Sequence, residues 1–137
     1  MKQWQQLLAG FAKRVRQLAN GTQIVTAWLG SGGKPVPTVQ ANSRALACKG
    51  CVYNSPVEWD SWVKEGLGET ILAAERLRHD CSFQTILDDD LGECAMCACY
   101  LKLKVWCPLS FIQSHTTKDE ANAFPAHCWI RKEIEKQ

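Results

Sequence analysis

No run of about 18 or more apolar residues occurs in the chain, so no segment reads as a helix crossing a bilayer. A secretory leader is also missing from the reading, because the first twenty residues are interrupted by Lys13, Arg14 and Arg16. Together these point to the cytoplasm, a reducing compartment where thiols stay available to metal and stable disulfides are uncommon. The chain has no strong charge bias either. A formal net charge of +2 over 137 residues is too small for the basic excess that marks most nucleic-acid binders, and each zinc held by four thiolates would lower it by about two. Hydrolase signatures are absent: there is no H-E-x-x-H, no G-x-S-x-G, and no H-x-E paired with P-C-x-x-C. The glycines before Lys34 resemble a phosphate loop only superficially, since Trp28 and Pro35 stand where glycine and serine or threonine are needed. Non-enzymatic function is the expectation.

What the chain does have is eight cysteines. Four form two C-x-x-C pairs, Cys48/Cys51 and Cys94/Cys97, a spacing that lets both thiolates of a pair turn toward one ion. Two such hairpins facing each other complete a four-sulfur zinc shell, closed to water and therefore structural. The most economical division of all eight thiols is that set plus a second one of Cys81, Cys99, Cys107 and Cys128. Cys99 follows Cys97 so closely that a crossed arrangement or a bridged two-metal cluster also satisfies the spacing. His79 beside Cys81 and His127 beside Cys128 are each placed to substitute for a thiol, whereas His115 has no cysteine neighbour.

The organisation reads as a small α+β zinc-stabilised domain. Residues 1–21 form an amphipathic docking helix with Trp4, Leu7, Leu8, Phe11, Val15 and Leu18 on one face. Residues 22–40 are an extended Gly/Pro arm, in which Pro35 and Pro37 favour an open backbone. Residues 41–137 are the zinc-binding domain, a zinc-ribbon-like core with a helical insertion at about 57–80 between the two C-x-x-C pairs. The alternation in Tyr100–Val105 predicts a strand with Leu101, Leu103 and Val105 inward and Lys102 and Lys104 outward. Cys128 falls at the start of a short charged helix, with Arg131 and Glu135 spaced for an i, i+4 pair. Asp88-Asp89-Asp90 reads as an acidic turn rather than a magnesium site, for want of further carboxylates.

One set of landmarks occurs in a distinctive order: Trp28, Gly33-Lys34-Pro35-Val36-Pro37, Arg44, Cys48-x-x-Cys51-x-x-Asn54, Leu91-Gly92, Cys94-x-x-Cys97-x-Cys99, Leu101, Lys104-Val105, Pro108-Leu109 and Cys128-Trp129-Ile130. This order resembles a family of small cysteine-rich proteins of tailed bacteriophages and prophages, a family without an established activity. The resemblance spans roughly residues 28–133 and departs at Cys81 and Cys107. It implies a phage-encoded virion or assembly component, held in the host cytoplasm or built into the particle, with one zinc expected and two if all eight thiols serve. The corresponding function is a zinc-binding structural or adaptor protein that docks on phage structural proteins through its N-terminal helix, its arm and its exposed tryptophans. Two alternatives belong to other classes. A nucleic-acid-binding regulator or packaging factor would use Lys102, Lys104 and Trp106. An iron–sulfur or dithiol redox protein would use the same thiols, although neither C-x-x-C lies in a thioredoxin-like context.

Overall fold

The computed structural model describes Ile24, Ala27, Trp28, residues 30–57, Asp60, Leu72, Glu75, Arg76, residues 78–96 and residues 99–137. The expected docking helix at 1–21 lies outside the described residues, as do Cys97, Trp59 and Trp62. Within the expected insertion, the described positions from Asp60 to Asp80 are helical.

Among the described residues the architecture is mostly helical with one small antiparallel sheet. Helix α1 (Thr38–Lys49) follows Pro37, whose carbonyl accepts the Ala41 N–H. Its buried residues Ala41, Arg44, Ala45 and Cys48 are spaced to share one face, and Gly50 ends it. Strand β1 (Asn54–Ser55) pairs with β2 (Glu93–Cys94), with Asn54 opposite Cys94 and Ser55 opposite Glu93. Four further helices follow: α2 (Leu101–Lys104), α3 (Leu109–Ser114), α4 (Lys118–Ala123) and α5 (Trp129–Glu135). α4 starts with a capping box, in which Thr117 Oγ1 accepts the Glu120 N–H while Glu120 accepts the Thr117 N–H. α5 packs against α1, α3 and α4, while α2 packs against α1.

The ribbon expected at the core is reduced to a two-residue pairing, and the strand expected over Tyr100–Val105 is a helical turn. Lys104 N–H bonds Tyr100 O at 3.0 Å and Val105 N–H bonds Leu101 O at 3.2 Å. The alternation of leucines and lysines misleads because this segment has no solvated face at Lys104, which is only 4% exposed beside the buried Leu101, Leu103 and Val105. Period-two patterning signals a strand only where the odd residues reach water.

Two packing features hold the described residues together. Phe83 is sandwiched between Trp28 and Trp106, with ring centroids 5.7 and 5.4 Å apart. The extended segment 33–37 is fastened over this stack: Val36 N–H donates to Trp106 O, and Trp28 Nε1–H donates to Lys34 O. The described tryptophans, Trp28, Trp106 and Trp129, are all buried and belong to the core, while Trp4, Trp59 and Trp62 lie outside the described residues. Gly92 passes so close to β1 that a Cβ there would stand 1.9 Å from Ser55 O. Its N–H donates to Asn54 Oδ1, while Asn54 Nδ2 donates to Asp90 O, so one asparagine locks the approach to β2.

The second feature is Arg44, 1% exposed in the middle of α1. Its Nε and Nη2 donate to the two carboxylate oxygens of Glu133 on α5, at 2.8 and 2.7 Å. Its Nη1 donates to Val105 O at 3.0 Å and to Cys107 O at 2.7 Å. The guanidinium carbon also lies 4.2 Å from the centroid of the Trp129 ring. Breaking a buried, bidentate ion pair is far more costly than losing a surface one. Arg44→Leu is expected to lower unfolding stability by about 3 kcal/mol, seen as a reduced urea midpoint at unchanged slope. A loss below about 1 kcal/mol, the range of an exposed pair, would contradict this role.

Candidate metal centre

The last turn of α1 and the turns after it carry the first cysteine pair. Gly50 and Cys51 both donate their N–H to Cys48 O, and Asn54 N–H donates to Cys51 O, so C-x-x-C-x-x-N is a succession of tight turns leading into β1. The β1–β2 register then sets Cys94 beside it. After Cys94 the chain turns back on itself, with Cys94 N–H bonded to Cys99 O at 3.0 Å and Glu93 bridged to Tyr100. Cys128 comes from the far end of the sequence, as the N-cap residue of α5, with its N–H on Pro125 O. The Arg131–Glu135 pair expected on that helix is present at 3.1 Å.

These elements bring Cys48, Cys51, Cys94 and Cys128 to the wall of a single cavity of about 30 Å³, alongside His127, Lys104 and Trp129. Leu101, Phe124 and Ile130 supply its apolar wall. Trp129 Nε1–H donates to Cys48 Sγ at 3.2 Å, and His127 Nε2 lies 3.2 Å from Cys51 Sγ. Burial pushes the Cys48 thiol up to about 11; the indole N–H partly offsets this, while Cys128 and Cys51 add to it by like-charge repulsion. Packing alone therefore favours the protonated thiol, and a bound cation would reverse that preference.

The other described sequence candidates are not among the residues of this wall. Cys99 is buried, and Lys104 Nζ donates to its sulfur at 2.9 Å. Cys107 is fully buried, its thiol directed to Pro108 O and pushed up to about 12 by burial, although Lys104 and Arg44 both act to lower it. Cys81 is exposed. Cys97 lies outside the described residues. No disulfide joins any two of the seven described cysteines. His79 is exposed beside Asp80, and His115 Nδ1 is 3.1 Å from Phe111 O. The Asp88–Asp90 turn is bound into the fold: Asp88 accepts from Arg78 and from Thr85 N–H and Oγ1, and Asp90 is 3.6 Å from Lys49 Nζ.

As placed, no three His, Cys, Asp or Glu among the described residues form a group that could hold a metal ion. The wall nevertheless carries donor types that zinc takes, four sulfurs and an imidazole, with an indole N–H directed at one thiol. Sequence reasoning missed Trp129 and Lys104 as members of this wall. The adjacency of Trp129 to Cys128 was the available signal for the first. Nothing in the alternating pattern announced the second.

No protein-family model, no curated protein and no solved structure matches the chain.

Thiol reactivity should follow this placement. With iodoacetamide at pH 8 and without denaturant, exposed Cys81 is expected to alkylate well before fully buried Cys107, whose thiol is kept protonated by burial. Peptide mapping by mass spectrometry reads the order, and comparable rates at the two residues would contradict the packing around Cys107.

Proposed function

We propose that this chain is a non-enzymatic, zinc-stabilised structural or adaptor module, phage-encoded and serving as a component of a virion or of its assembly. The observation that supports the metal is the gathering of four thiols from three distant parts of the sequence onto one cavity wall. Zinc would be held by cysteine thiolates of this wall and would supply a cross-link, in which each ligand gives up a proton and the chain loses freedom to unfold. Such a link suits the described residues, in which α2 to α5 run only 4 to 7 residues and each strand is 2 residues long. A shell filled by protein sulfur leaves no position for a reacting water, consistent with a structural role.

The phage assignment rests on the ordered landmarks of residues 28–133, several of which have definite structural duties. Arg44, Asn54, Gly92 and Trp129 bind α1, β1, β2 and α5 to one another. The nucleic-acid alternative loses its specific surface: Lys104 is bonded to Cys99 inside the protein and Trp106 is stacked on Phe83, leaving Lys102 half-buried as the remaining member of that trio.

Protein purified under reducing conditions is expected to carry about one zinc per chain by plasma mass spectrometry, and to melt at a lower temperature after chelation. Iron in place of zinc would favour the redox reading, and metal-free protein with an unchanged melting temperature would refute the proposal. For docking, Leu8→Glu with Phe11→Glu is expected to abolish incorporation into the particle without altering zinc content. Undiminished incorporation would remove the N-terminal segment from the adaptor mechanism.

A further inference from the structure

Lys104 and Cys99 bring an amine and a thiol into contact inside the protein. The two residues are 4% and 5% exposed, and Lys104 Nζ donates to Cys99 Sγ at 2.9 Å. We infer that this pair is an oxidative modification site, at which dioxygen converts the contact into a covalent nitrogen–oxygen–sulfur bridge. The inference is independent of the zinc reading, since it requires neither a metal nor any thiol of the cavity wall.

Two features of the fold carry it. The first is that the main chain holds both residues in place. Cys99 O accepts the Cys94 N–H, Leu101 N–H donates to Gly92 O, and Lys104 N–H donates to Tyr100 O, each at 3.0 Å. The reacting atoms are thus already within the separation at which fixed proximity replaces a bimolecular encounter. The second is access for a small oxidant. Lys104 lines the cavity of about 30 Å³, which has room for about one molecule the size of water. Leu101, Phe124 and Ile130 make part of that wall apolar. Such a surface suits dioxygen better than water, because a buried water needs several polar partners.

Counted as thiol and amine, the step consumes one dioxygen. The S–O and O–N bonds form, while the O–O bond, the S–H bond and one N–H bond break. The second oxygen atom leaves as water with those two hydrogens, and one N–H stays on the bridge. Sulfur and nitrogen give up two electrons each, and dioxygen accepts all four. Thiolate and ammonium together carry the same three hydrogens, so the balance does not depend on which form reacts. Two dithiothreitol molecules supply the four hydrogens that return thiol, amine and water. The bridge replaces a buried cation with a neutral link and ties the last residue of α2 to the segment that turns back after β2.

The test exposes full-length protein, as purified and after chelation, to isotopically heavy dioxygen or to argon, and reads intact mass and cross-linked peptides by mass spectrometry. The expected product forms only under dioxygen, is heavier by one heavy oxygen atom less two hydrogens, and joins Cys99 to Lys104. Dithiothreitol should remove it. Lys104→Arg keeps a cation but has no primary amine, and Cys99→Ser has no sulfur, so each should lose the linked peptide completely. A link without oxygen, unlabelled oxygen in the link, or no Cys99–Lys104 link in either sample would overturn the inference. The reading on the unaltered chain decides this whether or not the variants fold. Metal content does not enter the readout, so a missing bridge leaves the zinc reading standing, and metal-free protein leaves the bridge standing.

Discussion

One buried guanidinium organises the described part of this protein. Arg44 is removed from water on a helix whose other buried residues are small, and it meets there a carboxylate, two main-chain carbonyls and an aromatic face. Removing a charge from water is costly unless its hydrogen-bonding capacity is matched, and these partners nearly saturate the planar fork. Gln40 adds a bond to Glu133 from the preceding turn of α1, which keeps the carboxylate in register with the arginine. The geometry admits one arrangement of α1, α5 and the turn after α2, since displacement of any of them would strand a buried polar group.

The same network reaches the thiols. Trp129 lies under the Arg44 guanidinium and directs its indole N–H to Cys48, so the ring links the ion pair on one side to the sulfur cavity on the other. Lys104 makes a comparable link from α2, bonded to Cys99 and lining the cavity. Two buried cations thus lie close to a group of thiols that burial alone would keep protonated, as the upward displacement of Cys48 and Cys107 shows. In the proposed reading, zinc adds the further positive charge needed to hold several buried thiols as thiolates.

Away from the cavity, the aromatic stack of Trp28, Phe83 and Trp106 closes the core, and the Gly/Pro segment crosses over it. The exposed apolar side chains among the described residues are aliphatic: Val39 and Leu46 on α1, Val52, Leu72 and Ile86. The described tryptophans, by contrast, are committed to packing.

The sequence by itself determined the features that depend on neighbours in the chain. The tight turns of the first cysteine pair, the open backbone around Pro35 and Pro37, the start of α5 at Cys128 and the Arg131–Glu135 pair all follow from local chemistry. The tertiary structure decided what depends on distant residues meeting. It placed Cys128 at the cavity of the first cysteine pair, buried Lys104 where alternation predicted a solvated face, and turned the expected strand at Tyr100–Val105 into helix. Spacing along a chain limits which thiols can reach a common point, but burial and the opposing cations are properties of the packed surfaces around them, and those arise only when α1, α2 and α5 come together.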